Sequence, residues 1–307
     1  MMKEFDVVIV GAGPGGLTSG LYSSRSNLKA VCIEKLMPGG QIANTEMVED
    51  YPGFEMIGGA ELAKKMEDHA RKFGLEIADD NITEIYVDGR YRVAKGDYDE
   101  YRAKAIIVAT GGQPRKLDIP GEMEFAGRGV SYCAICDGAF FKNQVIAVVG
   151  GGDSAVEEGT FLTKYGSKVY IIHRREELRA QKVIQDRAFK NPKIEFILGS
   201  VVEEIYGNNK VESMLVRNVK TNETKHIDIG AIFPFVGFVP NSNIFREAIR
   251  CDNMGYIITS DSMETSIKGV FAIGDVRKQL CKQVTNAVGD GTTAAVAAFK
   301  YIEAWDD

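Results

Sequence analysis

The sequence predicts an α/β chain of two βαβ units, the second inserted into the first. Three observations carry this. Gly11-x-Gly13-x-x-Gly16 follows an apolar strand and opens a helix. A related run, Gly150-x-Gly152-x-x-Ala155, recurs 139 residues later (150 − 11) in the same strand–turn–helix setting. Short alternating strands of the antiparallel meander kind follow each unit. The fold class is therefore two Rossmann-like dinucleotide-binding domains, each with an antiparallel β meander. At 307 residues the chain exceeds one ordinary core, which agrees with two domains.

Phe5–Val10 reads as a strand, residues from about Leu17 to Ser26 as a helix, and Ala30–Glu34 as the next strand. Ala60–Phe73 has the period of an amphipathic helix. Leu75–Lys104 alternates, with turns at Asp88-Gly89 and Lys95-Gly96, and reads as a meander. Ala105–Ala109 is a buried strand, and Ile119-Pro120-Gly121 a junction. The second βαβ unit runs from Val145–Val149 to Val169–Ile172, with a meander over Ile194–Ile227. Phe233–Pro240 reads as one strand, with a second junction at Val239-Pro240-Asn241. Gly269–Ile273 is a further strand, and Thr292–Ile302 an Ala-rich helix. The expected domains are 1–117 with 244–307, and 118–243.

Composition narrows the function. Apolar residues make up 45%, enough for a packed interior. The 33 glycines stand well above the usual ~7%, and many cluster where backbone must approach phosphate. A net charge of −6 argues against nucleic acid, which needs a basic face. No apolar run approaches the ~18 residues of a membrane span. The start carries Glu4 and Asp6 and lacks the apolar core of a signal peptide. Five cysteines, an odd number without a framework, fit a reducing cytoplasm.

In the first fingerprint, glycine permits the tight turn, the close pyrophosphate and the close helix packing. Glu34 ends the following strand, placed to accept a ribose hydroxyl. In the second, the same offset (34 − 11 = 23) falls on His173, followed by Arg174, Arg175 and Arg179. An acid there would repel a 2′-phosphate, whereas arginines bind one, so this site should prefer NADPH to NADH. A solvated basic patch is the alternative.

Cys133 and Cys136 lie between the two fingerprints. Zinc would need about four ligands, and no second such pair or paired histidines exist. Two structural core cysteines are the other alternative. As a redox dithiol the pair would pass two electrons, with a reduced nicotinamide as donor and a flavin as relay. Asp137, next in sequence, is a candidate proton donor, or else a helix cap. Cys32 reads as a core residue, Cys251 and Cys281 show no partner pattern, and His69 and His226 read as surface residues.

These motifs, with Pro38-Gly39-Gly40-Gln41, Ala109-Thr110-Gly111, His173-Arg174-Arg175 and Gly274-Asp275, resemble the low-molecular-weight bacterial thioredoxin reductases over essentially the full chain. The resemblance implies an FAD domain built from both chain ends and an inserted NADPH domain. It implies FAD contacts at Gly11, Gly13, Pro14, Gly16, Glu34, Lys35, Gly40, Gln41, Asn44, Thr110 and Gly111. Gly274, Asp275, Gln283, Val284 and Thr285 extend that set from the C-terminal part. NADPH contacts are implied at Gly150, Gly152, Asp153, Ser154, Ala155, His173, Arg174, Arg175 and Arg179. Cys136 would lie nearest the flavin, and Cys133 would attack thioredoxin. Arg128, Phe140 and Phe141 match a thioredoxin-docking surface. A homodimer is implied by the resemblance alone. Lys282 stands where the family commonly has Arg, and loses its planar fork.

Because the dithiol and the nicotinamide both belong to the inserted domain and must reach one flavin ring, that domain is expected to rotate, hinged near Gly121 and Asn241. Three rivals share the fold. A peroxiredoxin-linked reductase carries an extra N-terminal domain. Ferredoxin-type NADP reductases lack the cysteine pair. A dithiol oxidase should lack the arginines. A non-catalytic nucleotide sensor would need no dithiol.

Overall fold

The computed structural model describes residues 1–45, 47–245 and 249–305. β1 (Met2–Val10) runs into α1 (Pro14–Arg25) and β2 (Ala30–Glu34). A 3-10 turn (Gly40–Asn44), β3 (Met47–Val48), β4 (Ile57–Gly58) and α2 (Gly59–Lys72) follow. Then come β5 (Glu76–Asp79), β6 (Ile82–Asp88), β7 (Tyr91–Gly96), β8 (Glu100–Val108) and β9 (Gly112–Pro114). α3 (Ala134–Asp137) leads to β10 (Val145–Val149), α4 (Asp153–Leu162), β11 (Lys168–Ile172), α5 (Lys182–Phe189) and β12 (Ile194–Ile197). β13 (Ser200–Gly207), β14 (Val211–Asn218), β15 (Thr224–Asp228), β16 (Ala231–Pro234) and β17 (Phe238–Pro240) come next. β18 (Val270–Ala272) and α6 (Val284–Glu303) follow, with further 3-10 turns at Gly138–Phe141 and Gly274–Val276.

The chain forms two compact units, Met1–Gln113 with Val239–Asp307, and Pro114–Phe238. These divisions fall a few residues ahead of 117/118 and 243/244. The two chain crossings pair with each other, β9 with β17. Gly121 lies inside the second unit, where an added Cβ would meet the Ile205 carbonyl oxygen at 2.1 Å.

In the first unit, β5, β2, β1, β8 and β18 form a parallel layer in that order. Its core includes Val7, Ile9, Ile107 and Phe271, all buried. β8 also pairs antiparallel with β7 over Glu100–Ala103. Its burial alternates at Tyr101, Ala103 and Ala105, then becomes continuous through Val108. This is the change from a half-wet face to a strand covered on both sides. Two expectations are corrected here. Residues 75–104 are not one meander, since Glu76–Asp79 pairs parallel with β2. Nor is there a break at Lys104, through which β8 runs unbroken.

In the second unit, β12, β11, β10 and β16 form a parallel sheet, and β13, β14 and β15 an antiparallel one. The meander therefore begins at Ser200, and Ile194–Ile197 belongs to the parallel sheet. The expected strand Phe233–Pro240 is two strands, because the chain turns at Gly237 with φ +110°. The C-terminal helix starts at Val284 rather than Thr292. Its glycines and threonines hid its first turns, yet one glycine is needed there. A Cβ at Gly291 would sit 2.4 Å from the Gly15 carbonyl oxygen of α1.

Candidate active site

Cys133 and Cys136 are joined as a disulfide, their Cα atoms 5.3 Å apart. Three residues of separation suffice because α3 supplies one turn between them. Cys133 caps that turn, its Sγ accepting the Cys136 N–H at 3.2 Å. Asp137 closes the turn, its N–H donating to the Cys133 carbonyl at 3.2 Å. Cys136 is exposed, and Cys133 and Asp137 are half-buried.

The chain leading to Cys133 is firmly held. The Ser131 N–H donates to the Ile232 carbonyl at 3.1 Å. Ser131 Oγ accepts the Cys133 N–H at 3.1 Å and donates to the Cys133 carbonyl at 3.3 Å. The Tyr132 hydroxyl donates to Glu122 Oε1 at 2.8 Å. Sequence reasoning missed Glu122 and Tyr132, because a single acid eleven residues upstream (133 − 122) carries no periodic or motif signal.

The first nucleotide loop lies in the first unit. Gly11 has φ +103°, and a Cβ there would meet the Ala109 carbonyl oxygen at 2.5 Å. Gly16 packs equally close, 1.9 Å from its Cβ position to the Gly11 carbonyl oxygen. Gly13 faces open space apart from Gly40, whose Cα is 3.9 Å away. Gly13 caps α1 with no side-chain partner, and Pro14 opens the helix, so free N–H groups face outward. Glu34 Oε2 accepts the Ala12 N–H at 2.8 Å, and Oε1 the Leu36 N–H at 3.1 Å. Those bonds fix the carboxylate at the strand end. Lys35, Gln41 and Asn44 are exposed, and Gln41 Nε2 reaches the Gly112 carbonyl at 3.5 Å.

The C-terminal part of this unit reaches the same region. Gly15 lies against α6, its Cβ position 3.0 Å from the Ala287 carbonyl oxygen. Gln283 caps α6 and Val284 and Thr285 form its first turn. Gly274 donates its N–H to buried Asp290 at 2.9 Å, and Arg277 grips the same carboxylate at 2.7 and 2.8 Å. Burial pushes the Asp275 carboxyl up, and the Asp290 charge adds to this, against the pull of Lys282. The Lys282 ammonium sits over the Tyr256 ring, 3.3 Å from its centroid. Thr110 is tied to Asn241 in both directions, at 2.8 and 2.9 Å.

The second nucleotide loop lies in the second unit. Gly152 caps α4 with no side-chain partner, and nothing lies within 4 Å of its Cβ position. Ala155 packs beneath Gly150, 2.7 Å from its Cβ position. Asp153 accepts the Gln181 N–H at 2.7 Å and its side-chain amide at 3.2 Å. Arg179 and Ala180 donate backbone N–H groups to the Gly151 carbonyl at 2.6 and 3.1 Å. These bonds fold the arginine segment onto the loop. Ser154, Arg174, Arg175 and Arg179 are exposed, and none of the three arginines is ion-paired among the described residues.

His173 is buried beneath this loop. Its ring lies 2.5 Å from where a Gly151 Cβ would be, and its Nε2 has no partner among the described residues. Burial holds its pKa below 6.5, with Arg179, Arg174 and Arg175 pushing the same way. Open cradles, uncapped helix ends and unpaired arginines fit two anionic nucleotides, the second with an extra phosphate.

Arg128 is exposed and donates to the Asn209 and Glu124 carbonyls at 3.0 and 2.5 Å. Phe140 is 76% exposed. Phe141 instead packs edge-on against buried Phe233 at 5.9 Å, so its ring serves the core. Cys32 is buried, which pushes its thiol well up. Cys251 is half-buried, Cys281 exposed, and His69 and His226 exposed. Among the described residues no helix is long and apolar enough to cross a membrane, and no cluster of side chains is arranged to hold a metal ion.

Fold and site together define a disulfide oxidoreductase with two glycine-rich loops at helix N-termini. The family model for pyridine nucleotide-disulphide oxidoreductases matches residues 5–291. The chain is similar to thioredoxin reductase of Bacillus subtilis (strain 168), 48% identical over 303 residues, which are 98% of this chain and 96% of that one. It is 49% identical to thioredoxin reductase of Listeria monocytogenes over 304 residues, covering 98% and 95%. The crystal structure of Lactococcus lactis thioredoxin reductase, at 49% identity, covers 97% of this chain and 99% of that one with a TM-score of 0.96. The chain belongs to the pyridine nucleotide-disulphide oxidoreductases.

Proposed function

We propose that this chain is an NADPH-dependent, FAD-containing thioredoxin-disulfide reductase. One observation carries the reading: a formed Cys133–Cys136 disulfide belongs to the same unit as an arginine-flanked nucleotide loop. Similarity to thioredoxin reductases along nearly the whole chain supports it. A bound FAD would supply the relay of two electrons between NADPH and the dithiol.

The first unit is the FAD domain. Its Gly11–Gly16 loop takes the pyrophosphate at the α1 N-terminus, and Glu34 holds the ribose. Lys35, Gly40, Gln41, Asn44, Thr110, Gly111, Gly274, Asp275 and Gln283–Thr285 line the rest. The second unit is the NADPH domain. Gly150–Ala155 takes the pyrophosphate, and Arg174, Arg175 and Arg179 take the 2′-phosphate.

Once the disulfide is reduced, the Cys133 thiolate attacks the thioredoxin disulfide. A Cys133–thioredoxin bond forms, the thioredoxin disulfide breaks, and the released thiolate takes a proton. Asp137 is the proton donor at the dithiol. The Cys136 thiolate then attacks Cys133, which restores the Cys133–Cys136 disulfide and releases dithiol thioredoxin. Arg128 and the exposed ring of Phe140 form the docking surface, with Phe141 supporting it from the core. The working form is a homodimer in the cytoplasm.

NADPH oxidation by the flavin-loaded protein, with and without oxidised thioredoxin and beside NADH, tests this. Strong stimulation with NADPH is expected. Equal oxidation with and without thioredoxin would remove thioredoxin as acceptor.

A further inference from the structure

A carboxylate bonded to Tyr132, the residue before Cys133, has no part in the reaction scheme. Glu122 is 1% exposed. Oε1 accepts the Leu117 N–H at 2.8 Å and the Tyr132 hydroxyl at 2.8 Å, and Oε2 accepts the Asp118 N–H at 2.7 Å. A buried carboxylate is costly unless its oxygens are bonded, and here three donors meet it. Asp118, one of those donors, has φ +57°, a conformation that favours glycine and that Glu122 braces. Burial and the Glu122 charge push the Tyr132 hydroxyl up, so it stays a donor across the working pH range.

The residue after Tyr132 is Cys133. Ser131 brackets the Cys133 backbone from one side, and Tyr132 fixes its own segment through Glu122. Cys136, by contrast, is exposed at the end of a single turn. The anchoring is therefore asymmetric: one sulfur is built onto a braced segment and the other is carried by a short turn.

We propose that Glu122 and Tyr132 are positioning residues that hold the Cys133 sulfur on the Cys136 N–H, and so set its reactivity as the attacking thiol. The proposal rests on the reductase reading for the role of Cys133. Its chemistry is general: a thiolate that keeps a backbone N–H donor ionises more readily, and one displaced from it ionises less.

The test uses the flavin-loaded protein carrying Cys136→Ser, in which Cys133 is a free thiol. Alkylation of the Cys133 peptide is followed by mass across pH, with and without Tyr132→Phe. In the protein with both cysteines, transfer from the reduced enzyme to thioredoxin is followed in a single turnover. Tyr132→Phe is expected to move the alkylation midpoint up by about 0.5 pH unit and to slow transfer ~10-fold. Flavin reduction by NADPH should stay within ~2-fold, which shows that the fold is intact. Glu122→Gln keeps the shape, puts a donor opposite the Asp118 N–H, and should move both quantities in the same direction. An unchanged midpoint with transfer within ~2-fold in both variants would overturn the proposal. The alkylation readout needs no acceptor, so a shifted midpoint in a protein that ignores thioredoxin would instead count against the reductase reading.

Discussion

The Thr110 hydroxyl donates to the Asn241 carbonyl at 2.8 Å, and the Asn241 side-chain amide donates back to the Thr110 carbonyl at 2.9 Å. The Asn241 N–H adds a third bond, to the Gly111 carbonyl at 2.9 Å. Within the first unit, the chain just before one crossing is thus locked to the chain just after the other. Beyond the crossings, the Arg115 N–H bonds the Gly237 carbonyl at 2.8 Å within the second unit. Residues 110 and 241 are thus a brace at the edge of the first unit.

Thr110→Val keeps the shape of the side chain and removes the hydroxyl. The Asn241 carbonyl then loses its donor, a cost of about 1–2 kcal/mol. Urea unfolding of the first unit should register this loss, and Thr110→Ser should recover most of it. A Thr110→Val midpoint equal to the parent's would mean that the bond contributes nothing.

In the proposed reductase the exposed arginines, none ion-paired among the described residues, set the choice of nucleotide. Arg175→Ala should raise the KM for NADPH ~10-fold through the loss of a charge-assisted bond. Removing Arg174 and Arg179 as well should erase the preference over NADH. The KM for NADH should barely change, since it has no 2′-phosphate. Equal losses with both nucleotides would point to a damaged loop instead.

His173 gives the second unit an acid limit. Its folded pKa is depressed, by burial first and by the three arginines after, from an ordinary value of 6.5. A depressed value means that its contribution is complete above 6.5 and is lost as pH falls through the folded pKa. Denaturant unfolding from pH 7 downward should therefore show falling stability. His173→Asn lowers stability at every pH by loosening the packing under Gly151, but should flatten that slope. An identical slope in the variant would assign the acid sensitivity elsewhere.

Asp275 works in the opposite sense. Burial raises its folded pKa above 3.8, so its contribution is complete below 3.8 and is lost as pH rises through the folded pKa. Asp275→Asn should make the flavin-free protein more stable than the parent at neutral pH, with the difference vanishing toward pH 3.8. Flavin retention should fall. A variant less stable at neutral pH would show that the carboxylate is held by bonds stronger than its burial cost.

Much of this was legible in the sequence because each signal was local. The spacing of glycine at 11, 13 and 16 is visible within its own loop, even though Ala109 also presses on Gly11, and Cys133 and Cys136 need only one helical turn. The arginine set could be placed by counting from the first glycine. What escaped depends on distant chain. Glu76–Asp79 looks like meander until β2 takes it as a parallel partner. Phe233–Pro240 is apolar throughout, and only the backbone at Gly237 divides it. The contact of Phe141 with Phe233 is likewise a product of the fold that no local pattern announces. Glu122 is invisible as a lone acid and becomes meaningful only when folding brings Leu117, Asp118 and Tyr132 around it.

In the proposed reductase, electrons from NADPH pass through the Cys133–Cys136 pair. Anaerobic titration of the flavin-loaded protein with NADPH tests it most directly. Flavin and disulfide each take two electrons, so about two equivalents per flavin should be consumed before the flavin is fully bleached. With Cys136→Ser about one should suffice. Full bleaching by one equivalent in the parent protein would contradict this, because the disulfide would then stand outside the electron path.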